Sequence, residues 1–354
     1  MSRSILIMAG GTGGHIMPAL AVADLLRTQG WNVIWLGAPD SMEAELVPQH
    51  GYPMAWVRFS GLRGKGLLRK LLLPFNLLLA MWQSAVAILR HRPDVVLGMG
   101  GYISFPGGVM AAILRRPLLI HEQNSIAGLS NKTLAHFAKR VLCGFPQALP
   151  GADWVGNPVR SSIAALPAPE QRYSARSGPL NVLVLGGSLG AQALNSYVPQ
   201  ALALMATAER PDVLHQSGKR HFEKVEQAYQ QMGVEAVVQP FLDDMAQMYA
   251  QADLVVCRAG ALTVAELAAA GVASILVPFP HAVDDHQTSN ARFLSERGAA
   301  VLLPQKKMTP QHLANLLQGM TRARALEMAV AARAVAQPDA AERVAQVCAE
   351  LAQA

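Results

Sequence analysis

The chain has 354 residues, and at about 150 residues per domain this length favours two domains. Hydrophobic residues make up 51% and charged residues 15% of the sequence, which excludes a disordered, collagen-like or coiled-coil protein. The cysteines Cys143, Cys257 and Cys348 are far apart and form no CxxC pair. A disulfide framework and a zinc ribbon are therefore disfavoured, and a reducing compartment is expected. The amino terminus does not read as a signal peptide, so we expect the chain to stay where it is made.

The net charge of +6 is unevenly distributed. Residues 1–160 carry 15 Lys and Arg against 7 Asp and Glu, whereas residues 161–354 carry 15 against 17. The first half is therefore strongly basic, and we expect it to face an anionic partner.

Short β-branched runs alternate with amphipathic helical stretches, which is the pattern of βαβ units in a parallel sheet. Strands are predicted at 4–9, 33–36, 54–59, 94–97, 118–121, 141–143, 182–185, 213–216, 236–238, 254–257, 274–277 and 300–303. The clearest helices are predicted at 16–29, 66–90, 106–115 and 128–139, and the tail 309–353 also reads as helical.

The Pro-rich stretch 158–179 interrupts this alternation and is interpreted as a linker. We therefore predict an α/β protein with two Rossmann-like, doubly wound domains, 1–160 and 161–340. Residues 341–354 are predicted to form a helix that can cross back to the first domain. Ligands of open α/β sheets bind beyond the carboxyl ends of the strands, so two such domains are expected to face a shared cleft.

Glycine turns follow three of the predicted strands, at 10–15, 98–102 and 186–191. Glycine lets backbone N–H groups approach a phosphate closely, and the helix that follows favours negative charge. None of the turns spells GxGxxG or a Walker A loop. Any one of them can be a plain tight turn, but three in one chain indicate a pyrophosphate-bearing ligand.

His15 ends the first glycine turn, and an imidazole at this position suits a general base. The alternative is a structural histidine. In the second half, Gly260 precedes a predicted helix. The free N–H groups of Leu262 and Thr263 at its start can bind a diphosphate without a metal. Glu266 lies one turn further, where a carboxylate can bind a ribose diol; its alternative role is to complement the helix dipole.

Two further polar runs lie at predicted strand ends. His121–Asn124 is interpreted as the rim of a cleft, and Asp284–Asn290 either caps a helix or reads sugar hydroxyls. The sequence contains no DxD motif, so a metal-bridged nucleotide sugar is disfavoured and no metal site or cofactor is expected.

Residues 46–93 contain seven basic residues and no acid, and they enclose the uncharged stretch 71–89. This stretch is long enough to span a bilayer, but polar residues interrupt it and spanning would divide one sheet across the membrane. A helix lying on an anionic surface fits better, with Leu and Phe inserted. The alternative is an ordinary packing helix.

The motifs, in chain order, are GGTGGH at 10–15, SGLRGKG at 60–66, PDVVLGMGGY at 93–102, HEQN at 121–124, VGNPVR at 155–160, GGSLGA at 186–191, HQSGK at 215–219, CRAGALTVAE at 257–266 and DDHQ at 284–287. Over essentially its whole length the chain resembles the bacterial MurG glycosyltransferase family. The resemblance implies the two-domain glycosyltransferase-B fold. It also implies transfer of N-acetylglucosamine from UDP-N-acetylglucosamine to lipid I, the undecaprenyl-pyrophosphoryl-linked muramoyl pentapeptide, which gives lipid II in peptidoglycan synthesis.

Carried over to this chain, the resemblance places the donor in the second domain. Glu266 is expected to bind the ribose, Leu262 and Thr263 the diphosphate, and the Leu242 backbone the uracil. The sugar is expected to contact Gln287 and Ala261, and His15 is the candidate base. The remaining expected substrate-binding residues are Thr12, Gly13, Gly14, Asn124, Arg160, Ser188, Val264 and Ala265.

Both lines of reasoning lead to one expected mechanism, in which the C4 hydroxyl of the muramoyl sugar attacks the anomeric carbon with inversion. The expected location is the cytoplasmic face of the cell membrane, as a peripheral protein on an anionic surface. Two rival functions remain: a UDP-N-acetylglucosamine 2-epimerase of the same fold would need no lipid, and a nucleic-acid binder would suit the basic half. Low aromatic content, 6%, and the lack of a recognition motif argue against nucleic acid.

Overall fold

The computed structural model describes residues 2–59, 72–187 and 190–353. The chain divides into two compact units, residues 1–160 together with 337–354, and residues 161–336. The second boundary lies at 336/337 instead of 340/341, because the segment before the last helix already packs on the first unit. A side chain at Gly156 would contact Gln337 and Ala340.

The central strands of the first unit's sheet are buried on both faces. In the described residues it has seven strands in the order β3-β2-β1-β4-β5-β6-β7, and every pair is parallel. The strands are β1 Ser4–Met8, β2 Asn32–Gly37, β3 Met54–Trp56, β4 Val95–Gly98, β5 Leu118–Glu122, β6 Arg140–Cys143 and β7 Asp153–Trp154. Such burial explains their nearly continuous apolar sequences.

Helices cover both faces of this sheet. They are α1 Gly13–Thr28, α2 Met42–Gln49, α3 Leu73–His91, α4 Ser104–Ile113, α5 Leu129–Leu134 and the carboxyl-terminal helix Ala340–Leu351. Ile5 and Ile7 of β1 share a core with α1 and the carboxyl-terminal helix, whereas Leu6 and Met8 share one with α3, α4 and α5. The two-residue period of the strand thus assigns alternate side chains to opposite layers.

The second unit repeats this architecture. Its described residues form a six-stranded sheet in the order β10-β9-β8-β11-β12-β13, again with parallel pairs. The strands are β8 Asn181–Leu185, β9 Asp212–Gln216, β10 Val237–Gln239, β11 Leu254–Cys257, β12 Ala273–Leu276 and β13 Ala300–Leu302. The helices are α6 Ser161–Ala164, α7 Pro169–Ser174, α8 Gln192–Ala203, α9 Phe222–Gln231, α10 Met245–Gln251, α11 Ala261–Ala270, α12 His286–Ser295, α13 Pro310–Gln318 and α14 Arg322–Ala334.

The α/β fold with two doubly wound sheets is confirmed, but two local predictions need correction and one strand was not predicted. The helix expected at 128–139 ends at Leu134, and the strand β7 had no recognisable sequence pattern. The amino-terminal part of the helix expected at 66–90 lies outside the described residues. The stretch 158–179 is not a free linker, since it contains α6 and α7.

Two side chains of helix α7, Arg172 and Tyr173, anchor it to the rest of the second unit. The Arg172 guanidinium donates to the carbonyl oxygens of Tyr249, Ala270 and Gly271 at 3.0, 2.5 and 2.6 Å. The Tyr173 hydroxyl donates to the carbonyl oxygen of Asp253 at 2.7 Å. Proline and polar residues suggested a linker, but these contacts come from residues about 75–100 positions away, which local sequence does not show.

In each sheet the strand order reverses between two neighbouring strands, β1 and β4 in the first unit and β8 and β11 in the second. Connections leave these neighbours in opposite directions, which opens a crevice at their carboxyl ends. The turns at 10–15 and 98–102 follow β1 and β4, and those at 186–191 and 258–260 follow β8 and β11. The fold therefore places the glycine turns at the crevices.

Asp253 is a fully buried acidic residue at the amino-terminal ends of β8 and β11, the central strands of the second unit. Its fully buried carboxylate accepts from Arg176 at 2.5 Å, from Arg322 at 3.2 Å and from the Asn181 backbone N–H at 2.8 Å. These three contacts join the segment after α7, the start of β8 and the start of α14.

Replacing Asp253→Ala should destabilise the second unit by about 3–5 kcal/mol, because it leaves buried guanidinium groups uncompensated. Hydrogen exchange of the β8 and β11 amides measures this loss; tryptophan fluorescence does not, since all five tryptophans lie in the first unit. Glu209→Ala is the matched control in the same unit: it removes an exposed hydrogen bond with Gln318, which should cost less than about 1 kcal/mol. Equal losses in the two variants would contradict the role of Asp253.

Candidate functional site

The first glycine turn is held by a buried carboxylate. Glu43 of α2 is fully buried and accepts from the backbone N–H groups of Gly11 and Ala38 at 3.0 and 3.3 Å. A side chain on Gly10 would approach the Glu43 carboxylate to 2.5 Å. A larger residue at position 10 would therefore displace the Glu43 carboxylate. The turn leads directly into the amino terminus of α1. Thr12 is exposed there, and Gly13 and Gly14 are half-buried.

The second turn packs against the first. Gly100 and Gly101 adopt φ values of +89° and +86°, which favour glycine, and a side chain on Gly101 would clash with the Gly10 carbonyl. The Ser104 hydroxyl lies 2.8 Å from the Gly100 carbonyl and 2.9 Å from the Met8 carbonyl. Both turns are thus fixed at the crevice between β1 and β4.

His15 is the third residue of α1 and is half-buried. Its Nδ1 lies 2.9 Å from Oε1 of Gln123. A side chain on Gly100 would come within 2.7 Å of the same Nδ1. The structure therefore brings the predicted histidine together with the second glycine turn and with one member of the 121–124 run.

The 121–124 run is mostly interior, which corrects its interpretation as a rim. His121, Glu122 and Gln123 are all buried, and only Asn124 is partly exposed. The Glu122 carboxylate accepts from the backbone N–H groups of Asn124 and Gly128 at 2.9 and 3.1 Å. These side chains shape the loop after β5, so Asn124 is the member that can meet a ligand directly.

The anion site predicted in the second unit corresponds to the amino terminus of α11. The first helical bond runs from the Val264 N–H to the Gly260 carbonyl at 2.9 Å, and the first turn carries no acidic side chain. The preceding N–H groups of residues 261–263 therefore point out of the helix. Leu262, Thr263 and Ala265 are half-buried, Ala261 is nearly buried, and the side chain of Val264 is fully buried.

Two neighbouring residues fix the turn before α11. The Arg258 guanidinium donates to the carbonyl oxygens of Val277 and Pro278 at 3.1 and 3.2 Å. The Asn290 amide donates to the Ala259 carbonyl at 3.2 Å. The helix terminus is thereby held in place from α12 and from the end of β12.

Glu266 lies one turn into α11 with only 7% of its surface exposed. Its Oε2 accepts from the Tyr249 hydroxyl at 3.0 Å. Burial and then the charge of Glu266 raise the pKa of the nearby Cys257 thiol to about 12. Tyr249 was missed in the sequence, because nothing local marks a tyrosine on α10 as a partner of a residue on α11.

Gln287 lies in the first turn of α12. Its Oε1 accepts from the Phe279 backbone N–H at 2.9 Å, which orients the amide. Asp284 and Asp285 both adopt left-handed φ values, and Asp285 accepts from the Thr288 hydroxyl at 2.7 Å. The carboxylate at the start of α12 thus bonds a side chain of the first turn.

The remaining candidates are less completely defined. Ser188 lies outside the described residues, while the φ of Gly190 is +78° and a side chain there would clash with the Ser217 carbonyl. Arg160 is half-buried at the end of the first unit. Leu242 is buried after β10 and lines a groove of about 920 Å³. Neither Glu266 nor Gln287 lines this groove.

Two further findings concern the described part of the chain. No group of three His, Cys, Asp or Glu side chains comes together there as a metal site. One helix in it, α3, is long and apolar enough to cross a membrane by length and composition, and about a fifth of it is buried in the protein.

Comparison with protein families matches both units. The glycosyltransferase family 28 N-terminal domain matches residues 5–143, and the family 28 C-terminal domain matches residues 181–344.

Individual relatives extend the match to the whole chain. A UDP-N-acetylglucosamine–N-acetylmuramyl-(pentapeptide) pyrophosphoryl-undecaprenol N-acetylglucosamine transferase of Aromatoleum aromaticum is 62% identical, over 99% of this chain and 98% of the relative. The crystal structure of Acinetobacter baumannii MurG has a TM-score of 0.87 at 42% identity, covering 98% of this chain and 99% of that one. A Listeria monocytogenes structure described as a UDP-N-acetylglucosamine 2-epimerase has a TM-score of 0.65 at 14% identity, covering 97% and 95% of the two chains. That last likeness concerns the fold alone.

Proposed function

The chain belongs to the undecaprenol-linked N-acetylglucosamine transferases of glycosyltransferase family 28, and on that premise we propose how it performs the reaction. The enzyme transfers N-acetylglucosamine from UDP-N-acetylglucosamine to lipid I and forms lipid II. The observation that carries the proposal is the pairing of an open helix terminus with a buried carboxylate on α11.

The second unit binds the donor. The diphosphate accepts hydrogen bonds from the N–H groups at the start of α11, where the helix dipole favours negative charge. Glu266 accepts from the ribose hydroxyls, and the Tyr249 hydroxyl holds its carboxylate in place. Gln287 and Ala261 contact the sugar, and the Leu242 backbone contacts the uracil.

The first unit supplies the proton acceptor. As the C4 oxygen of the muramoyl sugar bonds to the anomeric carbon, the bond from that carbon to the UDP oxygen breaks and configuration inverts. His15 takes the hydroxyl proton, and UDP leaves with the bonding electron pair. Backbone N–H groups already oriented in the folded state stabilise the charge that develops on the diphosphate.

A turnover assay tests the proposal directly. The enzyme is supplied with UDP-N-acetylglucosamine, with and without a lipid I analogue, and in excess EDTA. Acceptor-dependent release of UDP that persists in EDTA is expected. Donor turnover without acceptor, or activity that EDTA abolishes and magnesium restores, would contradict the proposed reaction or its metal independence.

We propose further that α3 docks the enzyme on an anionic membrane surface. One stripe of α3, Ala80, Ser84, Ala87 and Ile88, is buried against the sheet. The opposite face carries Phe75, Leu78 and Trp82, which are 70%, 64% and 64% exposed. Large apolar side chains on one helix face are typical of interfacial helices.

The same side of the sheet extends this surface. Exposed Ile113, Leu129 and Phe137 lie on or beside α4 and α5, next to exposed Arg115 and Lys132. Strands β3 and β4, which flank α3 in sequence, belong to one sheet, so α3 cannot span a bilayer without dividing that sheet. Basic residues 63, 65, 69 and 70 of the predicted segment lie outside the described residues.

Glu266→Ala should raise the donor KM strongly, because a charged hydrogen bond to the ribose contributes on the order of 1.5–3 kcal/mol. Steady-state kinetics with varied UDP-N-acetylglucosamine measure the change. Tyr249→Phe, which keeps the carboxylate and removes only its hydroxyl partner, should raise KM less. If the donor KM of Glu266→Ala stays within twofold of the wild-type value, Glu266 does not bind the ribose.

The triple variant Phe75→Ser, Leu78→Ser, Trp82→Ser should lose binding to anionic vesicles and use of the lipid acceptor. Each inserted side chain contributes at most about 1.5–3 kcal/mol, and each nearby Lys or Arg about 1 kcal/mol. Sedimentation with anionic and neutral vesicles measures the binding, while donor KM should not change.

A control for this variant replaces exposed apolar residues of the second unit by serine, at Leu204, Met232 and Val330. It should bind vesicles like the wild type. If the α3 variant folds and still binds anionic vesicles fully, the membrane surface lies elsewhere.

A further inference from the structure

A line of buried hydrogen bonds runs behind His15 in the first unit. His15 Nδ1 lies 2.9 Å from Gln123 Oε1, and Gln123 Nε2 lies 3.1 Å from His121 Nδ1. His121 Nε2 in turn lies 2.9 Å from the Gly156 carbonyl oxygen. Gln123 and His121 are almost completely buried.

The orientation of the Gln123 amide follows from its neighbours. Its Nε2 lies 3.1 Å from the backbone carbonyl oxygen of His121, and that oxygen can only accept. The nitrogen must therefore be on this side, and Oε1 must face His15. Met99 Sδ, a weak acceptor, lies 4.0 Å from the same nitrogen and agrees with this orientation.

The tautomer of His121 follows in the same way. The Gly156 carbonyl only accepts, so His121 Nε2 carries a proton. Burial lowers the pKa of His121 to about 4, so the ring is neutral near pH 7 and its Nδ1 has a lone pair. The two N–H bonds of the Gln123 amide then serve the carbonyl oxygen and Nδ1 of His121.

Gln123 Oε1 is left as an acceptor facing His15. We propose that Gln123 is a positioning residue, which holds His15 as the Nδ1–H tautomer and so keeps the Nε2 lone pair for the acceptor hydroxyl proton. The inference rests on the proposed function only in its last step, since the tautomer is a property of the free enzyme. A residue that fixes one imidazole nitrogen determines the role of the other.

The backbone packs closely around these hydrogen bonds. The Gln123 carbonyl accepts from the buried Asn157 amide at 2.9 Å. Gly156 adopts a φ of +87°, and a side chain there would strike Gln337. A side chain on Gly100 would reach 2.7 Å from His15 Nδ1 and 3.2 Å from Gln123 Oε1. The two glycines therefore let the main chain enclose both ends of the line.

A neutral amide suits this position. It accepts the Nδ1–H bond without placing a full charge in a buried position, where an unpaired charge is costly.

Nitrogen NMR of the full-length enzyme labelled with 15N-histidine tests the proposal without turnover. The His15 resonances are identified by their loss in His15→Ala. In the wild type they should show a protonated Nδ1 and an unprotonated Nε2 near pH 8. In Gln123→Met, which keeps the length and apolar volume but has no acceptor oxygen, the Nδ1–H preference should be lost. A wild-type Nε2–H tautomer, or an unchanged tautomer in Gln123→Met, would overturn the proposal.

Kinetics separate positioning from general damage. Gln123→Met should lower kcat by about 10–100-fold, the range for lost partners that orient a histidine, with donor KM unchanged. The matched control is Tyr52→Phe: it removes a buried hydroxyl of the same unit that donates to Asp24 at 2.5 Å, away from the 121–124 run. The control should keep the wild-type tautomer and kcat. Equal kcat losses in the two variants would overturn the positioning role.

The failure of the proposed function is distinguishable from the failure of this inference. A general base contributes about 10²–10⁴-fold, so His15→Ala should lower kcat by that factor. A near-native kcat in His15→Ala would show that His15 is not the general base. The NMR comparison of the wild type with Gln123→Met would still decide whether Gln123 sets the His15 tautomer.

Discussion

Buried carboxylates that accept backbone N–H groups hold the strand ends on which both units depend. Glu43 fixes the first glycine turn, Glu122 fixes the loop after β5, and Asp253 fixes the start of β8. A charged acceptor makes a stronger hydrogen bond than a neutral one, and burial makes it costly to lose. Glu43 and Glu122 therefore order loops at the carboxyl ends of strands in the first unit, whereas Asp253 orders the opposite, amino-terminal ends of β8 and β11 in the second unit.

The two units use one scaffold for two kinds of chemistry. In the second unit the helix terminus at α11 and the dipole behind it provide positive potential for a diphosphate. In the first unit the helix that follows β1, α1, carries a histidine in its first turn, supported by a buried amide. Its counterpart in the second unit is α8, the helix after β8. A parallel sheet directs the carboxyl ends of its strands to one edge. In each unit, the helix start in question therefore lies at that unit's own crevice, where the strand order reverses.

The two faces of helix α3 are suited to two different environments. Its buried stripe is made of small residues and one isoleucine, which allow close packing, and its outer face is built from large apolar side chains. An outer face of this kind is unfavourable in water. Its presence on a basic unit is the physical reason for proposing a membrane surface as the partner.

The sequence alone determined the fold class, the glycine turns and the donor motif, because these depend on local patterns. Alternating apolar runs predict parallel strands, and Gly260 followed by an uncharged helix start predicts an anion seat. Tertiary structure decided what distant residues do together. The partnership of Tyr249 with Glu266, the anchoring of α7 and the burial of His121, Glu122 and Gln123 all involve contacts across the chain. Polarity in a sequence marks a residue as able to bond, but only the fold determines whether its partner is a ligand or the protein itself.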